Sequence, residues 1–160
     1  MFSKNRTRKT KGGVIVGTRT NTLCLNGHCL TKEVFYEATV NSSIPGYGAR
    51  LYKGITERAF KDRYKEHKKT FNNRRYENDS KLSKEIWQIK DAGGVPEIKW
   101  KVVRKTRTYN PNTKTCMICL SKKLSIAEHV GRDLLNKRSE IIAKCRHQTK
   151  YCLSQIDSKD

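Results

Sequence analysis

The chain has no run of 18 or more apolar residues and no apolar core within its first thirty residues. Neither a membrane-spanning helix nor a secretory leader is therefore expected, and an intracellular, nuclear protein is. It has no internal repeat, which argues against a solenoid or propeller. Acidic residues are scarce: 15 Asp plus Glu stand against 35 Lys plus Arg, a formal net charge of +20. That excess is more than solubility calls for, and it points to a polyanionic partner such as DNA. The cations gather in runs at Lys4 to Lys11, Lys65 to Lys69, Arg74-Arg75 and Lys101 to Arg107, with Tyr64, Phe71, Tyr76 and Tyr109 among them to contact sugars or bases. Trp100 is read as core.

At 160 residues the length suits one domain. Residues 1–22 are polar, basic and glycine-containing and read as a disordered arm, with Val14-Ile15-Val16 as a short strand at most. Residues 23–153 form the domain and 154–160 a tail. Composition and periodicity predict strands over 34–40, 49–54 and 96–105, and helices over 58–70, 81–91, 117–128 and 134–146. The fold class is α/β: a small three-stranded antiparallel sheet flanked by helices, with a Cys/His zinc-binding element.

Val34-Phe35-Tyr36-Glu37-Ala38-Thr39-Val40 is β-branched and aromatic, and the turn formers Asn41 to Gly48 join it to a second strand through Tyr52-Lys53-Gly54. A hairpin of this kind sets two phenols on adjacent strands. In the helix that follows, Phe60, Tyr64, His67 and Phe71 make an apolar stripe containing a histidine, and Arg63 stands at its edge. Arg63 and His67 are one turn apart. Leu82, Ile86 and Ile89 make the stripe of the next helix, which Asp91-Ala92-Gly93-Gly94 stops, and Ile98, Trp100 and Val102 alternate along the third strand.

Two tyrosine strands followed by Arg-x3-His resemble the GIY-YIG nuclease family. Further along, Leu82 to Trp87, Thr108 to Pro111, Cys116 to Leu120, Leu134 to Ile142 and Lys144 to His147 are similar to nuclease modules found with reverse-transcriptase-type mobile elements. The likeness spans roughly residues 24 to 153. It implies a metal-dependent DNA endonuclease using Mg²⁺ or Mn²⁺, with a reverse-transcriptase domain of the same element as a further partner. Tyr36 and Tyr52 would be the active-site phenols, Tyr36 activating water. Arg63 would hold the scissile phosphate, His67 would orient a tyrosine or share its proton, and Asn136 would close the site. Arg50, Lys53, Arg58, Lys68, Arg74 and Arg75 are expected to contact DNA.

The resembled modules carry a metal-binding glutamate after the Cys-x2-Cys-Leu segment, and here Lys122 stands in that place. An ammonium cannot hold a divalent cation, so this copy would be catalytically impaired. Glu128, Glu140 or a different alignment would restore a ligand. Two classes of function therefore stand side by side: an endonuclease, and an inactive, basic, zinc-stabilised DNA-binding module. The charge alone would also allow a ribosomal or RNA-packaging protein, which gives no reason for the tyrosine strands.

Six cysteines in a reducing compartment suggest either a metal or buried, unligated thiols. Cys116-Met117-Ile118-Cys119 brings two thiolates to one turn, and Cys145 and His147 are the favoured completion of a zinc site, provided the preceding helix ends near Lys144. Cys24 and Cys29 are the alternative pair. Cys152 is a spare.

Overall fold

The computed structural model describes residues 27–147. The arm, the Val14–Val16 segment, Cys24, Cys152 and the tail lie outside that range. Among the described residues the protein is α/β, with a three-stranded antiparallel sheet in the order β2-β1-β3 and three helices. The strands are β1 (Val34–Ser42), β2 (Arg50–Thr56) and β3 (Pro96–Lys105). Helices α1 (Phe60–Asn72) and α2 (Lys81–Asp91) separate β2 from β3. A small hairpin, β4 (Tyr109–Asn110) and β5 (Thr115–Cys116), leads into α3 (Met117–Glu128).

Alternation along β1 decides the two faces. Val34, Tyr36, Ala38 and Val40 point into one core with Tyr52, Phe60 and Phe71 and with Leu82, Ile86 and Ile89 of α2. The opposite face carries Phe35, Glu37 and Lys53, and α3 packs against β1 and β2 there, with Lys53 reaching Ser125. The apolar stripes read from the sequence are the ones buried, and Trp100 packs at the core's edge.

Helix α1 has no side-chain cap. Its first amides are instead satisfied by a neighbouring loop: Phe60 N–H donates to Thr31 O at 3.0 Å and Lys61 N–H to Cys29 O at 2.8 Å. In α2 the N-cap Ser80 accepts from Ser83 N–H at 3.0 Å. That helix ends on Gly93 at φ +78°, with Gly94 N–H bonding back to Ile89 O at 2.9 Å.

The expected helix over 134–146 does not form. Only a 3₁₀ turn, Arg138–Ile141, is found there. The reason lies in β2, whose outer edge takes up the preceding segment. Leu51 N–H donates to Asp133 O and Leu135 N–H to Leu51 O, each at 2.8 Å, and Leu51 and Leu134 form a parallel bridge. Two residues on, Asn136 accepts from Lys53 N–H at 2.7 Å through Oδ1 and donates to Lys53 O at 2.9 Å through Nδ2. Backbone held in this way is not available to start a helix.

Candidate phosphate site and metal centre

The β1–β2 register sets Tyr36 opposite Gly54 and Ala38 opposite Tyr52, so both phenols fall on the α1 face. Their ring centroids are 6.5 Å apart. Arg63 and His67, one turn apart on α1, close over them. Arg63 Nε donates to Tyr36 Oη at 3.2 Å, and Tyr36 Oη lies 2.8 Å from His67 Nε2. The phenol oxygen thus bridges the guanidinium and the imidazole. Burial, aided by the nearby Arg63 charge, lowers the pKa of His67 to about 3 and keeps the ring neutral, so that one of its two nitrogens is free to accept.

Tyr36 is 0 % exposed. Burial first, then repulsion from Tyr52, lifts its pKa well above the ordinary phenol value in spite of Arg63. A hydroxyl sealed from solvent and bonded to His67 does not fit direct activation of water. Tyr52, 8 % exposed, is the phenol nearer the surface. Gly54 makes the arrangement possible, since a Cβ built there would stand 2.3 Å from both Cζ and Oη of Tyr36. The requirement is for space and not for an unusual backbone conformation.

Sequence reading missed Glu66. It accepts from Arg63 Nη1 at 2.9 Å and also from Arg58 Nη2. Although burial works against ionisation, the two guanidinium groups hold its carboxyl below the usual range. The signal was present as an Arg–Glu pair at i, i+3 on α1. Arg63 lines two open clefts of about 350 Å³ each: one shared with Arg58 and Arg146, the other with His67, Lys69 and Tyr76.

Asn136, Glu140 and Lys122 gather as a second group at the β2 edge, joined to the first through the Lys53 peptide beside Gly54. Lys122 Nζ meets Glu140 Oε2 at 2.8 Å, and Asn136 Nδ2 donates to the same oxygen at 3.1 Å. Glu140 Oε1 accepts from Lys137 N–H at 3.0 Å. Burial opposes its ionisation, yet these donors, Lys122 foremost, hold the carboxyl below its usual range. Both oxygens are engaged, so Glu140 as it stands does not fit a ligand for Mg²⁺ or Mn²⁺.

Lys53 requires correction as a DNA contact. It is 4 % exposed, and its ammonium donates to Ser125 O at 2.7 Å and Ser125 Oγ at 2.6 Å, with Glu37 at 3.8 Å. Its position on the α3 face of β2 turns it inward. Of the other expected contacts, Arg50 and Arg75 are exposed. Lys68 lies 5.5 Å from the Tyr64 ring. Arg74 is paired in bidentate fashion with Asp91 at 2.7 and 2.8 Å.

The metal centre is assembled by the β4–β5 hairpin. Asn110 Oδ1 accepts from Asn112 N–H at 2.9 Å, and Lys114 takes φ +53°. The turn thus delivers Cys116 to the N-cap of α3 and Cys119 to its first turn. Cys145 comes from the non-helical segment after the 3₁₀ turn, and His147, two residues on, is helical. The four donor atoms lie within 4.8 Å of one another. His147 Nδ1 is 3.4, 3.2 and 3.5 Å from the sulfurs of Cys116, Cys119 and Cys145, and the last two sulfurs are 3.5 Å apart. A tetrahedral zinc with Zn–S near 2.3 Å sets its donors about 3.8 Å apart, so three thiols and an imidazole in this arrangement can hold a metal ion such as zinc. Burial raises the Cys116 and Cys119 thiols above their ordinary range, and a bound cation is what would favour their thiolates. Cys29, half of the alternative pair, is disulfide-bonded. Among the described residues no other group of three or more His, Cys, Asp and Glu side chains is gathered closely enough to share an ion.

No described helix is long and apolar enough to cross a membrane. No family model, no curated protein and no solved structure matches the chain.

Proposed function

We propose that the chain is a DNA-directed phosphodiesterase of the GIY-YIG endonuclease type, of mobile-element origin and nuclear, with hydrolysis held down in this copy by Lys122. The observation that carries this reading is the hydrogen-bonded chain from Arg63 through Tyr36 to His67. It fixes a guanidinium by its Nε and leaves its outer edge toward the clefts, where in the free protein Glu66 occupies Nη1. A DNA phosphate would take the place of that carboxylate and accept from the fork. Tyr52 faces the bound phosphodiester, while Tyr36 and His67 keep Arg63 in register. The net charge of +20 draws the duplex in. The zinc knuckle is structural in this reading, holding the 145–147 segment against α3. A reverse-transcriptase domain of the same element is the proposed partner.

A second reading, a module that binds DNA without cutting it, is favoured by the Lys122–Glu140 pair, which leaves no carboxylate prepared for Mg²⁺ or Mn²⁺. One experiment separates the two. Purified protein is incubated with supercoiled plasmid and Mg²⁺ or Mn²⁺, with EDTA as control, and duplex affinity is followed against salt. Slow nicking that EDTA abolishes supports the nuclease. Binding with a log–log slope of about −0.9 per phosphate neutralised, without nicking, supports the module. A slope near zero rejects both.

A further inference from the structure

We propose that Glu57 is the outer partner of the metal centre, holding His147 so that Nδ1 faces the three cysteines and fastening the ion to the loop between β2 and α1. His147 Nε2 lies 2.6 Å from Glu57 Oε1 while its Nδ1 faces the sulfurs. The two nitrogens are thus assigned to different tasks: one meets a carboxylate and the other the donor cluster. A proton on Nε2 leaves the Nδ1 lone pair for a cation, and a carboxylate on that proton makes the imidazole a better donor. The backbone of Glu57 is itself anchored, its carbonyl accepting from Glu33 N–H at 3.2 Å. The carboxylate is therefore delivered by the sheet, far in sequence from the knuckle it serves.

The connection extends past the ion. Arg146 stands between two of the donors, Cys145 and His147, and lines the same cleft as Glu57, Arg58 and Arg63. Clamping His147 against Glu57 therefore sets the knuckle's arginine beside the arginine that holds the proposed phosphate. Nothing in the sequence marks Glu57, which lies outside every cysteine or histidine motif.

This assignment rests on reading the four donors as a metal site, and the experiment keeps the two apart. Zinc affinity of the full chain is measured by competition with a chromogenic chelator for wild type, Glu57→Ala and Glu57→Gln, and melting is followed with and without zinc. Wild type is expected to hold about one zinc, and Glu57→Ala to bind about 10- to 100-fold more weakly. Glu57→Gln, which can still accept from Nε2–H, is expected to fall between them. The metal-free proteins should melt alike, and the zinc-dependent rise should shrink in the variants. Zinc affinities equal to wild type would overturn the role of Glu57 and leave the metal site standing. An equal loss of melting temperature with and without zinc would make Glu57 a fold residue only. A wild-type chain that takes up no zinc would remove both.

Discussion

Tyr36 Oη and His67 Nε2 stand 2.8 Å apart inside the core, the phenol ring having no exposed surface. The imidazole is neutral, and the phenol also accepts from Arg63 Nε at 3.2 Å, so the three side chains form one hydrogen-bonded chain. What reaches the surface is the far edge of the arginine.

Gly54 is the first place to disturb this pair. In Gly54→Ala the new methyl would stand 2.3 Å from Tyr36 Cζ and Oη, and the ring cannot move without giving up His67 and Arg63. Overpacking of a fixed group costs about 1–3 kcal/mol, and the upper end is expected here. Urea unfolding measures it. Stability equal to wild type would show that Tyr36 is free to shift.

The low pKa of His67 makes stability depend on pH. The group titrates near 3 in the fold, against about 6.5 for a free imidazole. Between those values the unfolded chain binds a proton that the native chain does not, so its share of stability is complete above about pH 6.5 and is lost as pH falls toward 3. Urea midpoints at pH 7 and pH 4.5 should therefore differ more in wild type than in His67→Gln, whose amide can still accept from Tyr36. Parallel losses in the two proteins would clear His67 of this effect.

Arg63 and Glu66 should separate binding from chemistry. Arg63→Ala removes one cation among 35 and is expected to leave duplex affinity within about twofold while abolishing any cleavage. Glu66→Gln releases Arg58 and Arg63 from their carboxylate and is expected to tighten duplex binding by about twofold to tenfold at low salt, less at high salt. Fluorescence anisotropy at two salt concentrations tests both, and weaker binding by Glu66→Gln would mean that the carboxylate orders the arginines for DNA instead of competing with it.

Lys122→Glu would exchange the ammonium beside Glu140 for a second carboxylate, producing two acidic side chains within reach of one divalent ion. Metal-dependent nicking is expected to rise by at least tenfold over a weak or absent wild-type rate. Robust wild-type cleavage that survives Glu140→Gln and Glu128→Gln would move the metal ligand elsewhere.

Much of this was readable from local pattern. Alternation at 96–105 and the capped stripe at 81–91 yielded elements with those bounds, and the 117–128 helix follows directly from its knuckle. The Tyr36, Tyr52, Arg63 and His67 cluster follows from strand order and one helical turn. Leu134 to Arg146 misled because its apolar spacing is helical, whereas its backbone is captured by an edge strand distant in sequence. Lys53 misled because a cation in a basic chain reads as surface, and only the pleat turns it toward α3. Glu57 carried no local signal, its role arising entirely from tertiary proximity.

The edge of β2 has one further consequence. At Leu51 and Lys53 both backbone groups are already paired, the latter by a side-chain amide that imitates a peptide. The opposite border of the sheet is β3, which carries exposed Lys99, Lys101, Arg104 and Lys105. A second copy seeking to extend the sheet thus meets occupied partners on one side and like charge on the other. Both borders of the sheet are in this way protected from edge-to-edge aggregation.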